Sequence, residues 1–225
     1  MIKKIDRKGF YCASDSVYFR LHSQALFNSI RTHAPWAHCH AHIWDCEPQD
    51  RIWCEQMGVS LTESQTPREH KTQEQRRGYW VCARFDLIPE LYQDDVPVIA
   101  LDADSIVRKD ITEVQYDLDM KHSWSANKEY MNLPFKAQGS SVGLAAHHPA
   151  RHQLRQKLQD HQPWRWQLDQ ELLDQMVAQG LMSTMTMRYG DYKMRQENPV
   201  WSGKGGRKEQ PWFKQLQEHY RNITS

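Results

Sequence analysis

The chain has 225 residues, with 29 Lys and Arg against 28 Asp and Glu, a formal charge of +1. That length suits one large domain that buries its core without disulfides or structural metal. The balanced charge excludes a general nucleic-acid coat or a strongly basic membrane-surface protein, and 39% apolar with 25% charged residues excludes wholesale disorder. Nine Trp and nine Tyr supply material for a core and for ligand walls.

The first nine residues carry charge with no apolar run of signal length behind them, so no secretory signal of the usual shape is expected, and no stretch is long enough to span a bilayer. The five cysteines make an odd count without a CxxC pair and read as reduced thiols of a cytoplasmic protein.

Residues 9–14 form a short apolar run, a buried strand that ends at Asp15. Val17, Leu21, Ala25, Leu26 and Ile30 recur at helical spacing, which predicts a helix over 16–32, ended by Pro35. Residues 38–44 form a second strand. On it His38, His40 and His42 share one face, and the simple expectation is an edge or solvent-facing strand rather than a metal cluster. A helix over 51–57 stops at Gly58, and a third strand covers 59–61. Residues 62–78 are polar and predict a surface loop. Helical spacing resumes over 79–91, and residues 96–101 form the clearest strand of the chain. The aromatic and amide-rich stretch 121–136 is irregular. A strand at 141–145 and helices over 150–160 and 169–179 follow, then a Gly- and Pro-rich tail with a short last helix. Strand–helix alternation of this kind predicts an α/β fold with a mainly parallel central sheet flanked by helices.

The strongest chemical signal is Val98-Ile99-Ala100-Leu101-Asp102-Ala103-Asp104. A buried strand delivers two carboxylates at its C-terminal end, where open α/β sheets bind ligands. The i, i+2 spacing puts both on one face of an extended segment. Paired carboxylates suit a hard divalent cation that in turn grips a diphosphate. Surface aspartates in a turn are the alternative.

The surroundings extend the pattern. Arg84-Phe85-Asp86-Leu87-Ile88-Pro89-Glu90-Leu91, followed by Val98 to Asp104 and Ser105-Ile106-Val107, resembles the GT-A glycosyltransferases, and most of all the retaining galactosyl and glucosyl transferases of family 8. Tyr11-Cys12-Ala13-Ser14-Asp15 with Tyr18 is similar to that family's uridine-binding start. Gln138-Gly139-Ser140 sits where the family has Asn-Ala-Gly, and Leu168-Asp169-Gln170 resembles its Asp-Gln-Asp segment. Ser202-Gly203-Lys204-Gly205 ahead of Pro211-Trp212 resembles its closing motif. The likeness spans residues 10–213 in collinear order. Two departures stand out: the family's third metal ligand, a His, is replaced nearest by Ser202, and its Asn by Gln138 or Gly139.

The resemblance implies one GT-A-like domain over 1–225, with a nucleotide-binding half at 10–110 and an acceptor-binding half with closing loop at 111–213. It implies hexose transfer from a nucleotide-diphosphate sugar, UDP-linked, to a saccharide or other hydroxyl acceptor, with retention. Donor-binding residues would be Ala13, Ser14, Asp15, Tyr18, Arg84, Asp102, Ala103, Asp104, Gln138, Gly139, Ser140, Gly203, Lys204 and Lys208. Mn2+ or Mg2+ would sit on Asp102, Asp104 and Ser202, with Asp169 and Gln170 at the reacting carbon. The family's longer C-terminal membrane-association segment has no counterpart, so a soluble, near-minimal version is expected. Rival classes are a sugar-1-phosphate nucleotidyltransferase, whose Gly-rich first loop is missing between Asp15 and Arg20, and a non-catalytic carbohydrate- or nucleotide-binding module.

The residues make sense by themselves as well. Asp15 can accept from a uracil N3–H or cap a helix. Tyr18 can stack on a base or pack. Arg84 can hold sugar and carboxylates through its planar fork or form a surface salt bridge. The glycines and cations of 203–208 can cradle a leaving diphosphate or form a solvated turn. Trp164, Trp166 and the tract 124–135 can wall an acceptor cleft or fill a core.

Overall fold

The computed structural model describes residues 4–112, 123–127, 137–185, 189–203 and 205–223. Strand β1 (Gly9–Asp15) runs into α1 (Ser16–Tyr18), a π-helical turn (Phe19–Ser23) and α2 (Gln24–His33). Then come β2 (His38–Trp44), α3 (Pro48–Met57), β3 (Ser60–Ser64), α4 (Gln73–Leu91), β4 (Val98–Leu101) and β5 (Ser105–Val107). The remainder comprises β6 (Trp124–Asn127), β7 (Ala137–Leu144), α5 (Ala150–Asp160), α6 (Leu168–Ala178), β8 (Ser183–Met185), β9 (Val200–Ser202), a 3-10 turn (Gly205–Glu209) and α7 (Pro211–Arg221).

Seven strands form one sheet in the order β3-β2-β1-β4-β7-β6-β8. Strands β3, β2, β1 and β4 run parallel, β7 is antiparallel to β4 and β6, and β8 is parallel to β6. The expected mainly parallel, helix-flanked α/β sheet is present. Successive residues of a strand point to opposite faces, so the unbroken apolar runs of β1 and β4 make both faces apolar. Phe10, Cys12, Ile99 and Leu101 join Leu26, Phe27 and Ile30 of α2 in one core layer. Tyr11, Val98 and Ala100 join Phe85 and Ile88 of α4, Leu154 of α5 and Leu173 of α6 in the other. Strands β5 and β9 make a small separate sheet. All five cysteines are unpaired.

Strand β2 corrects the expectation of an edge or solvent-facing strand, since it lies between β1 and β3 with every residue buried. Polar partners on neighbouring elements make that burial tolerable. His40 bonds the Tyr92 hydroxyl at 3.1 Å and Thr62 Oγ1 at 2.9 Å, and His42 bonds Thr62 Oγ1 at 2.9 Å and Ser64 Oγ at 3.0 Å. Burial pushes His40 down to about 3 and His42 to about 4, so both rings are neutral at pH 7.

The polar segment 62–78 is also less of a loop than its composition predicts. Strand β3 continues to Ser64, and α4 starts at Gln73. A reciprocal cap starts that helix: Gln75 N–H donates to Thr72 Oγ1 at 3.2 Å, and Thr72 N–H to Gln75 Oε1 at 3.0 Å. Apolar spacing cannot register these first turns because their side chains are exposed.

Candidate active site

The C-terminal ends of β1 and β4 open onto one cavity of about 570 Å³. Ala13, Ser14, Asp15 and Tyr18 line it from the β1–α1 junction, and Asp102, Ala103 and Asp104 from the turn after β4. Gln138, Gly139 and Ser140 of β7, Asp169 and Gln170 of α6, Arg84 of α4, and Lys208 of the 3-10 turn, all expected from sequence, line it as well. Residues from across the chain thus meet at the crevice where open α/β sheets place ligands. Asp102 is held there by its own N–H, which donates to Ser140 O at 2.9 Å.

Arg84 organises the deep end. Its guanidinium pairs with Asp102 Oδ1 and, at 3.1 Å, with Asp169 Oδ2, and its side chain is only 9% exposed. Burial disfavours the charge, yet the two carboxylates outweigh it and push the guanidinium above its usual range. The surface salt bridge weighed from sequence is therefore a buried bridge between β4 and α6. Asp169 is raised by burial and by the Asp102 charge, which together outweigh Arg84. Gly139 lets this pair approach β7: a Cβ there would stand 2.5 Å from Asp169 Oδ2 and 2.6 Å from Arg84 Nη2. Asp169 Oδ1, Ser140 Oγ and Gln138 Oε1 are buried with no hydrogen-bond partner among the described residues.

Asp104 anchors a second cluster beside this one. Tyr18 O–H donates to Asp104 Oδ2 at 2.8 Å, Lys208 Nζ donates to Tyr18 Oη at 2.7 Å, and Lys208 stands 3.6 Å from Asp104. Burial and the neighbouring Asp102 raise the Asp104 carboxyl, against Lys208 and Tyr18. The Tyr18 ring itself packs on His22 at 4.4 Å and under Lys208 at 4.9 Å. Asp15 caps α1, accepting from Tyr18 N–H at 3.0 Å, and also faces the cavity.

Some expected residues stand apart. Ser202 and Gly203 do not line the cavity. Ser202 pairs with Ser105 across the small sheet and is buried. Gly203 N–H donates to Asp104 O at 2.9 Å, and a Cβ there would meet Phe213 at 2.8 Å, so this glycine fixes the turn behind Asp104. Lys204 lies outside the described residues, as does the 128–135 part of the aromatic tract. Trp124 is buried against Tyr189, and Trp164 packs on Tyr79, both core roles, whereas Trp166 is exposed and lines the cavity.

Gln73, Arg77, Trp80 and Val81 also line the cavity and went unrecognised in the sequence, while Gly205 lines it from the basic loop expected there. A signal existed: Arg77, Val81 and Arg84 share one helical face once the Thr72–Gln75 cap moves the helix start back.

The fold is that of the GT-A glycosyltransferases. Among solved structures, it superposes on the glycosyltransferase GlyE of Streptococcus pneumoniae TIGR4 with a TM-score of 0.68 and 18% identity, covering 96% of this chain and 60% of GlyE. The bifunctional glycosyltransferase WbbM gives 0.67 and 14%, covering all of this chain and 51% of WbbM. The galactosyltransferase LgtC, solved with donor and acceptor sugar analogs, gives 0.65 and 12%, covering 96% of each chain. The chain thus spans about three fifths of GlyE and half of WbbM. No protein-family model and no curated protein sequence matches the chain.

The paired carboxylates fit a hard divalent cation. Arg84 occupies Asp102 Oδ1, and Tyr18 occupies Asp104 Oδ2, which leaves one oxygen of each aspartate as a donor. Carboxylate oxygens joined by phosphate and water oxygens are the donor set that Mg2+ takes. Among the described residues no group of three His, Cys, Asp or Glu is set to hold a metal ion.

Proposed function

We propose that the chain is a metal-dependent glycosyltransferase that moves a hexose from UDP-glucose or UDP-galactose to a hydroxyl of a saccharide or similar acceptor, with retention. One observation carries it: Asp102 and Asp104 at the end of β4 share a cavity with Arg84, Asp169 and Lys208 on a glycosyltransferase fold. In this reading 10–110 supplies most donor contacts and 111–213 most acceptor contacts, and the reaction belongs to the cytoplasm.

Asp102 and Asp104 would hold Mn2+ or Mg2+. That ion supplies charge neutralisation for the departing diphosphate. Lys208 adds a second positive charge beside Asp104, where the leaving group accumulates charge. Arg84 holds Asp169 oriented in the cavity lining. Gln170 is an amide and takes no proton. The bond from the anomeric carbon to the diphosphate oxygen breaks, the bond to the acceptor oxygen forms on the same face, and the acceptor proton passes to the leaving phosphate oxygen. Orienting donor and acceptor is the rest of the chain's contribution. No helix among the described residues is long and apolar enough to cross a membrane.

A panel of UDP- and GDP-sugars, scored for donor hydrolysis with Mn2+ and with EDTA, tests this. UDP-hexose turnover that EDTA abolishes and Mn2+ restores is expected. Asp102→Asn and Asp104→Asn should remove it with an intact fold. Full activity of either variant without metal sinks the metal role. Proton NMR of the first product from an α-linked donor reads the stereochemistry, and a β product overturns retention.

A further inference from the structure

Three cations line the cavity: Arg84, Lys208 and Arg77. Arg84 is committed to Asp102 and Asp169, and Lys208 to Asp104 and Tyr18. The fourth carboxylate, Asp15, caps a helix. Arg77 alone of these cations has no hydrogen bond, ion pair or ring contact with any described residue. It is exposed, and it stands on the cavity face of α4 two turns before Arg84, roughly 10 Å along the axis at 1.5 Å per residue. The helix does not favour a cation there. Positive charge near a helix N-terminus adds to the dipole's own positive end. Both make this lip of the cavity attractive to an anion.

Aromatic side chains line the same cavity. Gly78, next to Arg77, packs on the backbone of the 164–166 segment: a Cβ there would lie 3.0 Å from Trp164 O and from Arg165 Cα. This close approach brings Trp166, next to Arg165, to the same rim as Arg77. Trp166 is 47% exposed and lines the cavity, as do Trp80 and Gln73. Immediately after it Gln167 turns the chain at φ 71° into α6, so Trp166 comes just ahead of Asp169 and Gln170. An indole covers the C–H face of a sugar, and a guanidinium fork beside it takes an anion bidentately.

We propose that Arg77 and Trp166 form an acceptor subsite for a sugar carrying an anionic group, a carboxylate as in a uronate or a phosphate ester. This rests on the transferase reading above. The diphosphate of the donor belongs near Asp102, Asp104 and Lys208, and Arg77 stands two helical turns from Arg84, the partner of Asp102, which leaves Arg77 to the second substrate.

The test is binding to the full chain saturated with UDP and Mn2+, measured by saturation-transfer NMR and calorimetry. The probes are methyl glucuronoside, methyl glucoside and glucose 6-phosphate. One of the two anionic probes should bind roughly five- to tenfold tighter than methyl glucoside, and which one it is names the anion. The advantage should vanish in Arg77→Gln, return in part in Arg77→Lys, and UDP affinity should stay unchanged in both. Trp166→Leu should weaken all three probes alike. Equal binding of neutral and anionic probes overturns the subsite, as does an advantage that survives Arg77→Gln. A fall in UDP affinity in Arg77→Gln that matches the loss of probe binding overturns it too. Failure of the native chain to bind UDP strikes the transferase reading instead, and the same three probes without UDP then decide the subsite.

Discussion

Replacing Arg84 by Gln tests the organisation of the deep end of the cavity. The guanidinium is the shared counter-charge of two carboxylates, and Asp169 is almost wholly buried, its side chain 2% exposed. Glutamine keeps much of the volume and removes the charge. Asp169 is then a buried carboxylate without its cation. Breaking a buried pair from one side costs about 3–5 kcal/mol, chiefly from the charge left behind. For a chain of this size each kcal/mol is worth about 2–4 °C, so Tm should fall by roughly 6–20 °C. Urea unfolding followed by Trp fluorescence should show a lower midpoint with an unchanged slope. The penalty has a pH signature. The Asp169 carboxyl is raised already, by burial and Asp102, and loses its one opposing cation in the variant. A carboxyl whose folded pKa lies above its unfolded value costs stability as pH rises through the folded value. The variant should therefore be less impaired in acid than at pH 8. Arg84→Gln with Asp169→Asn should recover most of the loss, since no buried charge remains there. A loss under about 1 kcal/mol, or a double variant no better than the single one, refutes the reasoning.

Gly139→Ala should destabilise the fold by about 1–3 kcal/mol, because the added Cβ meets the locked Arg84–Asp169 pair, and an unfolding free energy within about 1 kcal/mol of native would refute that. Lys208→Ala removes a charged contact to Tyr18 and Asp104, and should lower kcat/KM for UDP-sugar hydrolysis roughly 10- to 150-fold with little change in Tm. The neutral rings of His40 and His42, at about 3 and 4, lie below the unfolded value near 6.5, so the unfolded chain binds more protons between those limits. Stability should fall with pH from 6.5 towards 4, by about 1.4 kcal/mol per unit for each ring, with the raised Asp104 and Asp169 blunting the acid end. Urea midpoints from pH 7 to pH 5 read this, and a flat profile would show that the rings are not held neutral.

Strand β4 and its two aspartates were legible in the sequence because a short apolar run followed by turn residues is a local pattern, and hydrophobic periodicity is written residue by residue. The helices at 150–160 and 168–178 were legible for the same reason. The collinear order of short motifs also placed Asp15, Arg84, Gln138 and Asp169 in one proposed site, and the fold brings these residues to one cavity. Pairing is another matter. Periodicity cannot say which strands neighbour β2, and three histidines on one face read as an exposed edge until Tyr92, Thr62 and Ser64 supply partners for His40 and His42 from 20 to 52 residues away. The same holds for Arg84, where a salt bridge was legible as a possibility but its burial between β4 and α6 was not. Arg77 and Trp166 lie 89 residues apart in the chain, and no local signal joins them. Only Gly78 packed on the 164–166 backbone brings them to one rim, because contacts between distant segments depend on side-chain volume and sheet order, which the tertiary structure alone decides.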